Sequence, residues 1–193
     1  MSKRIFGQSV AFAVGFTLLA APAALGASPP PLAGCYERVY DKAHLAAHKG
    51  QLVVHARLAV EAGDFPSDPG QTHPMLANAT LNVRVRGAKQ TFHSIGACWA
   101  DGKGLLCNGS LSAAETDACE TKADGVRDCR IDWPEAAGTF RIAPKSSGVL
   151  VSIPGRLELP EATDGEGPFL YLSHGNAENH AFMLTSAPAS ACK

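Results

Sequence analysis

Alternation of apolar and polar residues runs through most of this chain. Leu52, Val54, Ala56, Leu58 and Val60 alternate with Gln51, Val53, His55, Arg57 and Glu61, the period of a strand with one face on a core and one in water. Leu81, Val83 and Val85 alternate in the same way with Asn82, Arg84 and Arg86 until Gly87. The period predicts further strands at Phe92–Trp99, Leu105–Asn108, Phe140–Ile142, Val149–Ile153, Leu157–Leu159, Phe169–Ser173 and His180–Ser186. Turn residues separate them: Lys145-Ser-Ser-Gly148, Pro154-Gly155 and the Gly/acidic stretch Thr163–Pro168. Gly63–Pro74 reads as a surface loop, and Asn108–Ser110 with Ala113–Asp117 as an excursion. Asp41–Lys49 is the one helix expected, capped by Asp41 and ended by Gly50. Short strands with almost no helix predict an all-β fold. The expected form is an antiparallel meander closing into a barrel of roughly eight strands, with one short helix before the first. A two-sheet sandwich is the alternative.

Six cysteines add staples to that outline. If Asp101–Gly104 is a four-residue loop, Ala100 faces Leu105 and Cys98 faces Cys107. If Ala123-Asp124-Gly125 is a three-residue loop, Cys119 faces Cys129, with Gly125 at the left-handed position. Directly opposed residues have β-carbons about 4.5–5.5 Å apart, near what a disulfide requires. Cys35 and Cys192 remain, and a bridge between them would close the domain. The spacings are not those of a zinc knuckle.

The N-terminus gives the reason to expect oxidation. Lys3 and Arg4 precede an apolar run, Val10–Ala21, followed by Ala23, Ala24, Gly26 and Ala27. The run is too short for a membrane span and has the form of a secretory signal. The expected division is residues 1–27 as signal peptide, 28–34 as a proline-rich leader and 35–193 as a single β domain. This places the protein in the periplasm or outside the cell, where disulfides persist. A second reading exists, because Leu32-Ala33-Gly34-Cys35 resembles a lipobox. Ser28-Pro-Pro-Pro31 separates it from the apolar run, and lipidation of Cys35 would leave an odd number of cysteines.

A formal charge of −1 without basic clusters argues against nucleic acid as a partner. No Gly-x-Ser-x-Gly elbow, Cys-x-x-Cys, phosphate loop or dinucleotide motif occurs. Glu158, Glu161, Asp164 and Glu166 crowd one region and read as a solvated turn rather than a glycosidase pair. The histidines are the one chemical lead. His44 and His48 share a face of the expected helix, and His174 and His180 bracket a loop, His174-Gly-Asn-Ala-Glu-Asn-His180. With His55 they would converge if the helix and the last strands cap the same barrel end, and zinc or copper would then be the metal.

Cys35-Tyr36, His44-Leu45-x-x-His48, the cysteine-bearing hairpin, Asn179-His-Ala-Phe-Met-Leu184 and the terminal cysteine are similar to a group of small secreted bacterial proteins with no assigned activity. The chain departs from that pattern over Ser112–Val126. The resemblance implies a secreted domain and assigns no ligand or reaction. The leading expectation is therefore a non-enzymatic binding module for a small molecule or an exported partner protein, with no cofactor. The alternatives are a metal carrier or metal-dependent hydrolase using His44, His48, His174 and His180, and an envelope protein anchored at Cys35.

Overall fold

The period-two segments close on themselves. In the computed structural model, which describes residues 32–63, 74–109, 137–161, 170–176 and 178–193 with the backbone of 119–121 and 127–129, eight antiparallel strands form a closed barrel. The staves are β1 (Gly34–Val39), β2 (Val53–Ala62), β3 (Ala77–Val85), β4 (Phe92–Asp101), β5 (Gly104–Asn108), β8 (Thr139–Lys145), β9 (Gly148–Ser152) and β12 (Ala181–Ala187). Around the barrel they run β1-β12-β9-β8-β5-β4-β3-β2. Two short hairpins stand apart, β6 (Cys119–Thr121) with β7 (Arg127–Cys129), and β10 (Arg156–Leu159) with β11 (Leu170–Ser173). The barrel replaces the sandwich alternative.

Three sequence expectations are corrected in detail. Among the described residues no helix precedes the first strand, because β1 comes before the helical turn α1 (Lys42–Ala47) and pairs with both β2 and β12. Leu157–Leu159 and the strand at 170–173 are not staves but a side hairpin. Its Leu157, Leu159 and Leu172 join the same core, and isolated bridges from Leu157 to Gly138 and from Glu161 to Phe92 tie it to the starts of β8 and β4. Glu158, expected in a solvated turn, is buried on β10 and lies 3.5 Å from Arg156.

The inward face of β2 also changes phase. Leu52 is 43% exposed while Val53 is fully buried, the reverse of a simple alternation. The cause is a bulge: Val53 pairs with Val85 and His55 with Arg84, so Val54 is an extra residue on β2. Beyond it Ala56, Leu58 and Val60 point inward as the period requires. Leu52-Val53-Val54 is uniformly apolar, so the pattern alone could not choose the phase.

The cysteine hairpin keeps the register that its spacing implies, Cys98 opposite Cys107 and Trp99 opposite Leu106. Its loop is two residues rather than four, since Asp101 also pairs with Gly104. Gly102, at φ +60°, takes the first turn position, where a side chain would be strained. Cys98–Cys107 and Cys35–Cys192 are both bonded. Cys119 pairs with Cys129 in the β6–β7 backbone register; their side chains lie outside the described residues. So do the signal peptide and proline leader to residue 31, most of the 63–74 loop, the 110–118 excursion, the 123–125 turn, Pro134, and the 162–169 turn with Asp164 and Glu166.

Side chains occupy the barrel interior. Phe140, Phe182, Leu58, Leu81 and Ile142 are essentially fully buried in one continuous cluster. Cys98 and Cys107 belong to it, so this disulfide lies inside the barrel rather than on a presented loop. Gly138, at φ +76°, admits the side hairpin. A β-carbon there would lie 1.8 Å from the Arg156 carbonyl oxygen, so the Gly138–Leu157 bridge needs glycine.

Among the described residues no helix is long and apolar enough to cross a membrane.

Candidate functional site

Antiparallel connectivity puts the β1–β2, β3–β4, β5–β8 and β9–β12 connections at one end of the barrel. The first carries α1 and the last carries the 174–180 loop. Asp41 caps α1, accepting from the His44 backbone N–H at 2.7 Å. His44 and His48, four residues apart, stack at 4.3 Å between ring centroids, and Tyr40 extends the row at 4.8 Å from His44. The loop reaches this row through Glu178, whose carboxylate lies 3.4 Å from His48 Nδ1.

Asn179 joins loop to helix. It is almost completely buried. Its Oδ1 accepts from the backbone N–H groups of Leu52 at 2.8 Å and Val53 at 3.2 Å, and its Nδ2 donates to the Gly50 carbonyl at 2.9 Å. One amide side chain thus satisfies three main-chain groups where β2 begins, beside the bulge.

The groove between these elements has a volume of about 370 Å³ and is lined by Arg38, Tyr40, His44, His48, Gln51, Glu178, Ala181 and Met183. Gln51 has a fixed orientation. Its Nε2 donates to the Val53 carbonyl at 2.8 Å, so its Oε1 accepts from His44 Nε2 at 2.9 Å. His44 therefore carries its proton on Nε2. Burial holds the Tyr40 phenol above the usual tyrosine range, with Arg38 opposing the shift. Tyr40 stays a neutral hydroxyl at physiological pH.

The groove lies where two staves part. The β1–β12 ladder has three pairs only, Cys35–Ala187, Tyr36–Ser186 and Glu37–Thr185. Yet β1 runs on to Val39, and β12 starts at Ala181 and is paired with β9 from there. Over Ala181–Leu184, β12 has a neighbour on one side and the groove on the other.

Of the residues singled out in the sequence, the structure gathers His44 and His48 here. His174 and His180 form a separate pair, rings 5.2 Å apart, and His180 Nδ1 meets the Asn176 carbonyl at 3.0 Å. His55 stands on the outer wall of β2. Among the described residues no group of three or more His, Cys, Asp or Glu side chains is arranged to hold a metal ion. Arg38, Tyr40, Gln51 and Met183 were not legible as site residues. They come from three separate segments, and only the barrel closure between β1 and β12 brings them together. The polar 174–180 loop was the one usable signal for Glu178 and Asn179.

A sixth histidine, His93, faces Asn82 across β3–β4. Its Nδ1 is buried without a hydrogen-bond partner among the described residues, and burial lowers its pKa below the ordinary histidine value. In the unfolded chain His93 takes a proton as pH falls through about 6.5, while the folded chain resists. This contribution is complete above that pH and is lost as pH falls toward the lowered folded value. Urea titrations between pH 8 and pH 5 are expected to show a decline in stability that His93→Gln reduces. An identical decline in the variant would remove His93 as its source.

Comparison with known proteins yields no match to a family model, to a curated protein or to a solved structure.

Proposed function

We propose that this is an exported, non-enzymatic binding module that takes an extended peptide segment of a partner protein into the groove between β1 and β12. The observation that carries the reading is the early end of the β1–β12 ladder. In a strand, N–H and C=O groups alternate between the two flanking neighbours. The half of those groups on Ala181–Leu184 directed away from β9 is available to an added strand, the mode in which main-chain hydrogen bonds supply affinity and side pockets supply selectivity. The Tyr40–His44–His48 row and Met183 offer surface for its side chains, with Arg38 and Glu178 as charges of opposite sign. The filled interior supports binding outside the barrel. The two disulfides and the signal-like N-terminus support export.

The test is selection of short unconstrained peptides by display against the full chain. Binders should perturb the amide resonances of Arg38, Tyr40, Ala181 and Met183. N-methylation of alternate peptide bonds should abolish binding. Tyr40→Ala and Met183→Gln should each weaken it at least tenfold, whereas Ile95→Gln, exposed on the opposite stave β4, should not. Binders that map elsewhere, or that tolerate N-methylation, refute the reading.

A further inference from the structure

A second hollow of about 260 Å³ lies on the outer wall of β2 and β3, lined by His55, Arg57, Asn82, Val83, Arg84 and Thr91. Barrel register assembles it. Glu37, Arg57, Asn82 and His93 stand opposite one another across β1, β2, β3 and β4, and His55 stands opposite Arg84.

Hydrogen bonds link the side chains of this wall. Arg84 Nε donates to His55 Nδ1 at 3.2 Å, and His55 Nε2 meets Glu37 Oε1 at 2.7 Å. A guanidinium can only donate. Nδ1 is therefore the acceptor in that contact, and the ring N–H that meets Glu37 is on Nε2. Glu37 is occupied by His55, so two guanidinium groups face the hollow against one carboxylate already engaged. Arg57 spends Nη1 on the Ala191 carbonyl, while its Nε is buried and has no hydrogen-bond partner among the described residues. A buried cationic donor left unpaired is costly, and Asn82 and Thr91 add polar groups beside it.

We infer that this hollow binds the oxyanion group of a small molecule, with Arg57 and Arg84 as its charged partners. Arginine is suited to this role because its planar fork matches carboxylate and phosphate oxygens. The volume exceeds that of the anion, so the group would be carried on a larger solute or on a lipid. This site is independent of the peptide groove, and neither reading depends on the other.

The experiment is an NMR titration of the full chain with inorganic phosphate, and separately with acetate, at low ionic strength. Saturable shifts are expected at the Arg57 side-chain Nε–H and at the amides of Asn82, Arg84 and Thr91. Arg84→Gln should weaken binding at least tenfold without moving the unfolding midpoint appreciably. Arg141→Gln, which removes an exposed arginine on β8 paired with Asp101, should leave it unchanged. Non-saturating shifts, or equal loss in both variants, would show general charge screening and overturn the site. Cosedimentation with phosphatidylglycerol vesicles that Arg84→Gln abolishes would assign the anion to a lipid headgroup. Binding of glycerol phosphate without cosedimentation would assign it to a free solute.

Discussion

Replacing Cys192 with serine is expected to lower the unfolding free energy by about 4–5 kcal/mol. The Cys35–Cys192 bond links residues 157 apart in sequence, and the chain-entropy relation gives about 5 kcal/mol for a loop of that length, against about 3 kcal/mol for a loop the size of Cys98–Cys107. Position adds to length. The bond sits at the end of the β1–β12 seam, which has only three ladder pairs, and it anchors the terminal 3₁₀ turn Ala189–Cys192 against β1 and β2. Guanidinium unfolding of Cys192→Ser, Cys35→Ser and the double variant measures it. The two single variants should fall by the same amount and the double variant by no more, since each single change removes the whole bond. A loss under 1 kcal/mol would mean that the ladder alone closes the barrel.

The second large effect belongs to Asn179. Asn179→Leu keeps the branched shape, with somewhat more bulk, but strands the N–H groups of Leu52 and Val53 and the carbonyl of Gly50. A stranded buried group costs of order 1–3 kcal/mol; the Val53 bond is buried and those of Leu52 and Gly50 are part-buried, so the lower part of the threefold sum, about 3–5 kcal/mol, is expected. Asn179→Ala should cost less, because the vacated space admits water to the same groups. Peptide binding in the groove should fall with Asn179→Leu even where the variant remains folded, because the loop carrying Glu178 loses its tie to the start of β2. Equal stability of Asn179→Leu and the parent chain would show that these hydrogen bonds are replaced by others. Retained peptide affinity in a folded Asn179→Leu variant would separate the groove from this clasp.

Both effects bear on what the residues alone can disclose. The strand period was readable wherever one face is wet: Ala56–Leu58–Val60 on β2, Ala77–Ala79–Leu81–Val83 on β3 and Val149–Val151 on β9 all face inward. Hairpin register was readable because it depends on local spacing, which placed Cys98 opposite Cys107 despite a misjudged loop length. The phase of β2 before Ala56 was hidden by three consecutive apolar residues. β1 was hidden because only Cys35 and Tyr36 in it are buried, which is too few to show a period. β10 reads as a stave because its leucines join the same core as those of the staves, although its ladder partner is β11 alone. The candidate sites were the least accessible. His44 and His48 announce themselves by helical spacing, but Asn179 acts on residues more than a hundred positions away, and the Arg57–Arg84 wall exists only once β1–β4 are in register.

The interior position of Cys98–Cys107 also imposes an order of events on biosynthesis. Thiol–disulfide exchange needs a thiolate to reach the sulfur, and both sulfurs belong to residues with no exposed surface. An oxidase can therefore reach this pair only while the wall is still open. The two cysteines are nine apart, so they can meet as soon as that hairpin forms, whereas Cys35 must wait for Cys192, 157 positions further on. Oxidation would then proceed from the local pair to the terminal one, with the inner bond sealed from reductant once the staves close and the outer one acting as the latch.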